Sequence, residues 1–384
     1  MESIGKQGEL RVAIIHDWFI TIGGAEKVLS QLLQLYPDAD VFCVADFFNS
    51  NQRDKILLGK NTKKTYIQQL PFSRKLYRFM VPFLYKSIER FDLNEYDLIL
   101  SSSHSIAKGV RKSKDQIHIC YCHTPMRYVW NMKKTYIEQI PFPFKSIAMR
   151  QLQKMKDWDF STAQSIDYFI TNSHFVASRI KKNYNRESQV IHPPVDKNYF
   201  TLPTESPDAS MPKDYFLVVS RLVHYKKIKL IIETFNNFPN QQLIIIGEGP
   251  QEKSLKKIAA KNTTFVGYQS NEVVKQYFQN AKAVVLAAVE DFGITSLEAQ
   301  ACGTPIIALN YGGYTETVVD HETGLLFKEQ TVDSLSETLN SFLTNAIAFD
   351  EQTIRKHAEK FSNERFKKEL KDFVDLKLNN GSTV

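Results

Sequence analysis

Very little in this chain offers a covalent or metal framework. Its 384 residues include four cysteines, Cys43, Cys120, Cys122 and Cys302, too few and too scattered for the disulfide pattern of a small secreted fold. Cys120 and Cys122 flank Tyr121, which is closer than a standard zinc knuckle allows. No zinc-finger spacing and no long basic tract occurs, so nucleic-acid binding is a minor alternative. Long apolar runs are missing too. Residues 11–15, Arg-Val-Ala-Ile-Ile, are too short for the core of a signal peptide, and nothing elsewhere is long enough to span a bilayer. A cytoplasmic setting is expected, with attachment to one membrane leaflet left open. Neither sign of charge dominates. The 49 basic and 42 acidic side chains leave a formal charge of +7, a modest field that favours phosphate ligands or an anionic surface without identifying either.

What is present is ordinary globular material, 43% hydrophobic and 24% charged, in a chain long enough for two domains with separate cores. Strand-like runs at 11–15, 39–44, 97–101, 117–121 and 168–171 alternate with helical patterns, which predicts a parallel α/β domain. His16-Asp17-Trp18 is expected to follow the first strand, then Gly23-Gly24-Ala25-Glu26, then a helix through Val28, Leu29, Leu32 and Leu33. That order, strand then glycine loop then helix, suits phosphate contact at a helix N-terminus. It is neither a complete dinucleotide fingerprint nor a P-loop, and a plain tight turn explains it as well. Pro193-Pro194 opens a polar, proline-containing stretch, after which the alternation restarts with strands at 216–220, 242–246, 264–266, 283–287 and 305–308. The expected organisation is an N-terminal Rossmann-like domain over 1–195, a linker over 196–212, a second Rossmann-like domain over 213–360 and a terminal helix over 361–384. That helix is expected to cross back and pack on the first domain, with a solvent-facing helix as the alternative.

The most specific segment is Glu290-Asp291-Phe292-Gly293-Ile294-Thr295-Ser296-Leu297-Glu298. It follows an apolar strand and precedes a helix expected to begin at Ile294 or Thr295. Backbone N–H groups near Gly293–Ser296 can then meet a diphosphate. Glu290 and Glu298 can accept hydrogen bonds from sugar or ribose hydroxyls. Their bland alternatives are a helix cap for Glu290 and a solvated face for Glu298. Arg221 and Lys226 can neutralise phosphate oxygens, or simply form a solvated basic helix start with Lys227 and Lys229. Gly247-Glu248-Gly249-Pro250 is a loop beside a ligand or an ordinary turn. His123, in Cys120-Tyr-Cys-His-Thr-Pro-Met-Arg-Tyr-Val-Trp130, is by itself more readily a satisfied core residue or cap.

Taken together these motifs resemble the large retaining glycosyltransferase family 4, with its two-domain GT-B fold, and in particular bacterial polysaccharide and O-antigen enzymes. The pattern runs from Glu290 to Glu298, through Gly303, Pro305–Ala308 and Gly312-Gly313-Tyr314-Thr315-Glu316, to Gly324-Leu325-Leu326. The resemblance covers nearly the whole chain from Val12 onward. It implies two Rossmann-like domains facing each other across a donor and acceptor cleft. Glu290 would contact the transferred sugar, Glu298 the ribose, and Phe292, Gly293, Ile294 and Thr295 the sugar and diphosphate. Arg221 and Lys226 would bind the diphosphate, with Gly247 and Gly249 nearby and Val266 and Tyr268 beside the base. Gly23 and Gly24 would close near the donor phosphate, and His123 would approach the sugar by hydrogen bonding rather than by covalent chemistry.

The implied activity is transfer of a hexose from a nucleotide-diphosphate sugar, with retained configuration, to a glycan or polyprenyl-linked glycan in cell-surface polysaccharide synthesis. No cofactor is implied, and no Asp-x-Asp motif stands beside the expected donor site to call for a metal. UDP-glucose is the narrow lead for the donor, GDP-mannose a close competitor, and a non-catalytic nucleotide-sugar or glycan-binding protein the third class. Arg127, Tyr128 and Trp130 offer acceptor-side surfaces or junction packing. Asn172-Ser173-His174-Phe175 resembles a family interface loop that shapes the cleft. The aromatic and basic segments 71–91 and 141–147 can meet an anionic membrane at the cytoplasmic face of the inner membrane, although packing of their apolar faces on the first sheet is the leading account.

Overall fold

A computed structural model describes residues 10–130, 137–138, 140, 144–203, 211–344 and 349–381, apart from the side chains of 75–79. The chain divides into two compact units. One runs to His192 and takes in the chain from Lys367 onward, and the other spans Pro193–Phe366.

The first unit is built on a parallel sheet. Its strands are β1 (Val12–Phe19), β2 (Asp40–Asp46), β3 (Thr62–Lys64), β4 (Leu98–Ser103), β5 (Ile117–Cys122), β6 (Tyr168–Thr171) and β7 (Gln189–Val190), in the order β3-β2-β1-β4-β5-β6-β7. Every neighbouring pair is parallel; Ile14 sits between Val41 and Leu100. Runs such as Val-Ala-Ile-Ile suit strands covered on both faces. On one face Ala13, Ile15, Phe42, Val44 and Ile99 join Met155 and Trp158 in a buried cluster. The helix Gly24–Leu35 buries Val28, Leu29, Leu32 and Leu33, the stripe expected of a helix lying on a sheet.

Two sequence expectations change here. His16-Asp17-Trp18 lie inside β1 rather than after it, because pairing continues to Trp18 with Ala45 and Phe19 with Asp46. The polar side chains of His16 and Asp17 find partners inside the protein, so they do not end the strand. The edge strand β3 carries no apolar run and escaped notice; it exists through its pairing with Val41–Cys43.

The terminal helix, Asn363–Gly381, packs on the first unit from Lys367 onward. Phe366, Leu370 and Val374 recur every four residues and are buried, a single apolar stripe. The ring of Phe373 meets Tyr168 edge-on, Lys377 lies over that tyrosine, and Lys367 Nζ donates to Gln34 Oε1 at 3.1 Å.

The second unit contains β8 (Tyr215–Val219), β9 (Gln242–Ile246), β10 (Thr263–Gly267), β11 (Ala283–Leu286), β12 (Ile306–Leu309) and β13 (Gly324–Phe327). All pair in parallel, in the order β10-β9-β8-β11-β12-β13. One cluster around Phe216, Ile231, Phe235 and Leu335 covers one face, and another around Leu217, Phe278, Leu297 and Ala358 covers the other. Val195 and Phe200, from the proline-containing stretch, are buried in the latter.

Both sheets are doubly wound. In each, the chain moves outward in one direction and then returns to the other side of its first strand. The strand order therefore reverses between β1 and β4 in the first unit and between β8 and β11 in the second. Crevices at the carboxyl ends of such strands are where open α/β sheets bind ligands.

Candidate functional site

The second unit places most of its expected ligand residues just beyond the carboxyl ends of β8, β9, β10 and β11. Ser220 and Leu222, just beyond β8, bond through their N–H groups to the carbonyls of Ile246 and Glu248, at 3.0 and 2.9 Å. The Gly247–Pro250 loop therefore lies directly on the segment that carries Arg221. Gly247 has φ +129°, and a Cβ there would sit 2.0 Å from the Ser220 carbonyl oxygen. Only glycine permits that approach, and a Cβ at Gly249 would likewise stand 2.3 Å from the Leu222 carbonyl oxygen. Gly247 N–H also donates to the carbonyl of Gly267 at 2.8 Å, which sets Val266 and Tyr268 beside the same loop. Tyr268 is 74% exposed, a ring presented rather than packed.

The turn His224–Lys226 follows, and the helix Ile228–Asn236 begins after it. Lys226 Nζ lies 2.5 Å from Glu290 Oε1, both side chains being partly buried. Glu290 follows β11, and its carbonyl accepts the N–H of Gly313 at 2.8 Å. The ion pair thus joins the loops after β8 and β11, the two strands that flank the reversal in strand order. Glu290 is held by a lysine and by the neighbouring loop; it caps no helix.

Phe292 is buried against Phe361, with ring centroids 5.9 Å apart. Gly293 then turns the chain with φ +90°, and a Cβ there would stand 2.5 Å from the Tyr314 ring. The helix Ile294–Ala301 starts at once. The N–H and hydroxyl of Ser296 both donate to the Gly293 carbonyl, at 2.9 and 2.7 Å. The amides of Ile294 and Thr295 occupy the first two helical positions, which helical geometry leaves without an intrahelical acceptor. Glu298 is buried, at 9% exposure, which removes the solvated-face alternative. Burial pushes the Tyr314 phenol well above its ordinary range, and the charges of Glu290 and Tyr225 add to this.

In the first unit, Gly23 and Gly24 lie beyond β1 at the start of the helix Gly24–Leu35. The N–H of Gly23 donates to Glu26 Oε2 at 2.8 Å, the reciprocal half of a capping box. His123 follows β5 and is 8% exposed. Its N–H donates to the Ser103 carbonyl, its carbonyl accepts from Asn172 Nδ2, and its Nε2 is 2.8 Å from Ser102 Oγ. Burial, and then the nearby His104 and His16, hold its imidazole well below the usual histidine range. His123 is therefore neutral at neutral pH.

Tyr128 and Trp130 turn their polar edges inward. Tyr128 shares a hydrogen bond with Ser105 Oγ, and Trp130 Nε1 donates to Asp159 Oδ2 at 2.7 Å. Asp159 also receives the Tyr184 hydroxyl at 2.7 Å and pairs with Lys108 at 2.5 Å, the lysine and aspartate both fully buried. Both rings are thus tied into the first unit while staying partly exposed. Arg127 stands at the start of their short helix.

Sequence reasoning missed a carboxylate with many backbone donors. Asp17, wholly buried in β1, accepts four consecutive backbone N–H groups. His104 and Ser105 donate to Oδ2 at 2.7 and 3.0 Å, and Ile106 and Ala107 to Oδ1 at 2.7 Å each. His16, Ser102 and Glu26 were also passed over. The signal for Glu26 was its place three residues after Gly23, the capping-box spacing. The signal for Ser102 was a strand ending Ser-Ser-Ser between apolar neighbours. Among the described residues, no group of three or more His, Cys, Asp or Glu is placed to hold a metal ion, and no helix is long and apolar enough to cross a membrane.

Comparison with known proteins gives two family matches. Residues 22–199 match Glycosyltransferase Family 4, and residues 204–365 match Glycosyl transferases group 1. A D-inositol 3-phosphate glycosyltransferase of Mycobacteroides abscessus is 28% identical over 217 residues, 51% of this chain and 48% of that protein. A GDP-mannose-dependent monoacylated alpha-(1-6)-phosphatidylinositol monomannoside mannosyltransferase of Corynebacterium glutamicum is 32% identical over 207 residues, 47% of this chain and 54% of that one. The chain spans about half the length of the curated relatives it matches. Among solved structures, Anabaena Alr3699/HepE in complex with UDP and glucose aligns over 96% of this chain and 100% of its own, at 18% identity and a TM-score of 0.71. Sucrose-phosphate synthase from Thermosynechococcus elongatus aligns over 97% and 100%, at 17% identity and a TM-score of 0.73. At these identities the likeness is one of fold.

Proposed function

Because the chain belongs to glycosyltransferase family 4 and is built from the paired Rossmann-like units of the GT-B fold, we propose that it transfers a hexose from a nucleotide-diphosphate sugar to a glycan or lipid-linked glycan, with retention of configuration. The observation that carries this reading is the Lys226–Glu290 pair at the reversal of the second sheet, between Arg221 and the helix start after Gly293. Arg221, Lys226 and the amides of Ile294 and Thr295 bind the diphosphate and stabilise its charge as it leaves, so the proposal calls for no metal. Glu290, its ammonium partner exchanging toward phosphate, accepts hydroxyls of the transferred sugar. Glu298 holds the ribose, and the backbone at Val266 and Tyr268 meets the base. The departing diphosphate helps deprotonate the incoming hydroxyl on the same face of the sugar. Gly23, Gly24 and His123 of the first unit serve the donor phosphate and the sugar.

UDP-glucose is the leading donor through the family resemblance. GDP-mannose is the second reading, favoured by the 32% identity to the corynebacterial mannosyltransferase. A polyprenyl-linked acceptor brings the enzyme to an anionic membrane surface. In support, the helices Ser73–Leu84 and Lys145–Ser165 are tied by Gln151 Nε2 donating to the Pro82 carbonyl at 2.7 Å. They leave Phe72, Phe83, Phe144, Ile147 and Met149 exposed, alongside Arg74, Lys86 and Arg150. Residues 141–143 of the second aromatic segment lie outside the described residues.

A panel of labelled UDP- and GDP-sugars tests the donor, read by equilibrium binding and then by mass spectrometry with a mixed lipid-linked acceptor extract. Binding of one base class is expected. Arg221→Ala or Lys226→Ala should weaken it about 10- to 100-fold, the worth of one charge-assisted contact. Undiminished binding in both variants overturns the diphosphate assignment. Binding without transfer from any donor leaves a nucleotide-sugar-binding protein. An inverted anomeric centre in the product overturns retention.

A further inference from the structure

The carboxylate of Glu26 reaches further than the cap it makes. One oxygen, Oε2, accepts the Gly23 N–H; the other, Oε1, stands 3.5 Å from His16 Nε2. His16 Nδ1 is 3.1 Å from Ser102 Oγ, and the same hydroxyl is 2.8 Å from His123 Nε2. Glu26, His16, Ser102 and His123 therefore form a continuous polar chain from the glycine loop to the histidine beyond β5. All four are buried, His16 and Ser102 completely.

With His16 and His123 both neutral, the proton count in this chain has two solutions. A hydroxyl has one proton, so when both rings are neutral Ser102 donates to one and accepts from the other. In one direction His16 Nδ1–H donates to Ser102, which donates to His123 Nε2. His16 Nε2 then turns a lone pair toward the Glu26 carboxylate, a repulsive contact away from water. In the other direction His16 Nε2–H points at Glu26, Ser102 donates to His16 Nδ1, and His123 Nε2–H donates to Ser102. Every contact is then between a donor and an acceptor. This arrangement requires a neutral His16 and an anionic Glu26. Burial raises the Glu26 carboxyl, but hydrogen bonding to His16 and the nearness of His16 and His104 together bring it below the ordinary value, so it is anionic at neutral pH. His123 is neutral, as described above.

We infer that Glu26 is a positioning residue which, through His16 and Ser102, sets His123 as its Nε2–H tautomer and leaves Nδ1 unprotonated to accept a hydrogen bond from a hydroxyl of the transferred sugar. The sugar's part in this rests on the glycosyl-transfer reading; the tautomer does not. The same carboxylate holds the Gly23 amide, so the glycine loop and the histidine are set by one anion.

The test uses the full chain labelled with nitrogen-15 at histidine. In the wild type at neutral pH, His123 should show a protonated, pyrrole-like Nε2 and an unprotonated, pyridine-like Nδ1. In Glu26→Gln the amide can offer His16 either an oxygen or an N–H, so the chain loses its direction and the two His123 signals should move toward one another. Transfer activity should fall about 10-fold, the low end of what losing an orienting hydrogen-bond partner costs at metal-ligating histidines. It should fall little further when Glu26→Gln is added to His123→Ala, because the effect runs through His123. Ser102→Ala, a smaller change, interrupts the chain at its centre and should give the same loss of activity. A wild-type His123 protonated at Nδ1, His123 signals unmoved in Glu26→Gln, or losses that simply add in the double variant would each overturn the inference. Failure to bind any nucleotide sugar would instead remove the glycosyl-transfer reading, while the spectra still decide the tautomer.

Discussion

Gly293 decides where the helix Ile294–Ala301 begins. It has φ +90° with the Tyr314 ring against it, so Gly293→Ala meets a backbone penalty and a collision together. The second unit should lose about 2 kcal/mol or more, read as a lower denaturant midpoint, and nucleotide-sugar binding should weaken in parallel as the helix start shifts. Unchanged stability would mean that the turn relaxes freely. The segment around this glycine was readable in the sequence because its chemistry is local: an acidic residue, a glycine and a helix start within one short stretch. Lys226 and Glu290 were readable as separate candidates, but not as a pair, since they lie on loops that only the sheet order brings together. Asp17 was not readable at all. A lone aspartate after an apolar run looks like a strand terminator, and its four donors come from residues 104–107.

At the level of elements, β1 is the informative strand. Its apolar half announced it, and its polar half, His16 and Asp17, carries the loop after β4 and the chain to His123. Asp17→Asn tests how much that loop depends on it. An asparagine has one carbonyl oxygen, and it turns an NH2 toward N–H groups that need an acceptor. Each amide left unsatisfied in the interior costs about 1–3 kcal/mol. The variant should unfold the first unit at clearly lower denaturant, with hydrogen exchange at 104–107 accelerated ahead of the rest of β4. Equal protection in variant and wild type would show that the loop holds itself. The central strands were legible from their apolar runs, which parallel sheets demand on both faces. β3 was not, because Thr-Lys-Lys owes its conformation to its neighbour rather than to its composition.

At the scale of the molecule, the exposed aromatic and basic residues on the helices Ser73–Leu84 and Lys145–Ser165 set an expectation for surfaces. In the first segment Val81, Tyr85 and Ile88 pack into the core of the first unit, so the packing account holds for that face; of the second, residues 144, 146 and 147 are exposed and packing begins only beyond it, at Leu152 and Met155. The other face keeps Phe72 at 75% exposure and Phe144 and Ile147 at 59% each. The chain should pellet with vesicles rich in anionic lipid, release with rising salt, and lose most of that association in a Phe83→Ser, Ile147→Ser variant. Salt-insensitive association, or none, would count against a membrane role for this face. The two-sheet fold class was legible because the strand-and-helix alternation restarts after the proline-containing stretch. The ownership of the terminal helix was less so, since an amphipathic pattern shows that a face is covered but not by what.

That helix has a consequence in time. The second unit is a single continuous stretch, whereas the first is interrupted and resumes only at Lys367. On the ribosome, domains made of contiguous chain can fold as they emerge. The first unit must wait, with the patch destined for Phe373 and Lys377 uncovered, until all of the second has been synthesised. The half of the protein that is made first is therefore the half that is finished last.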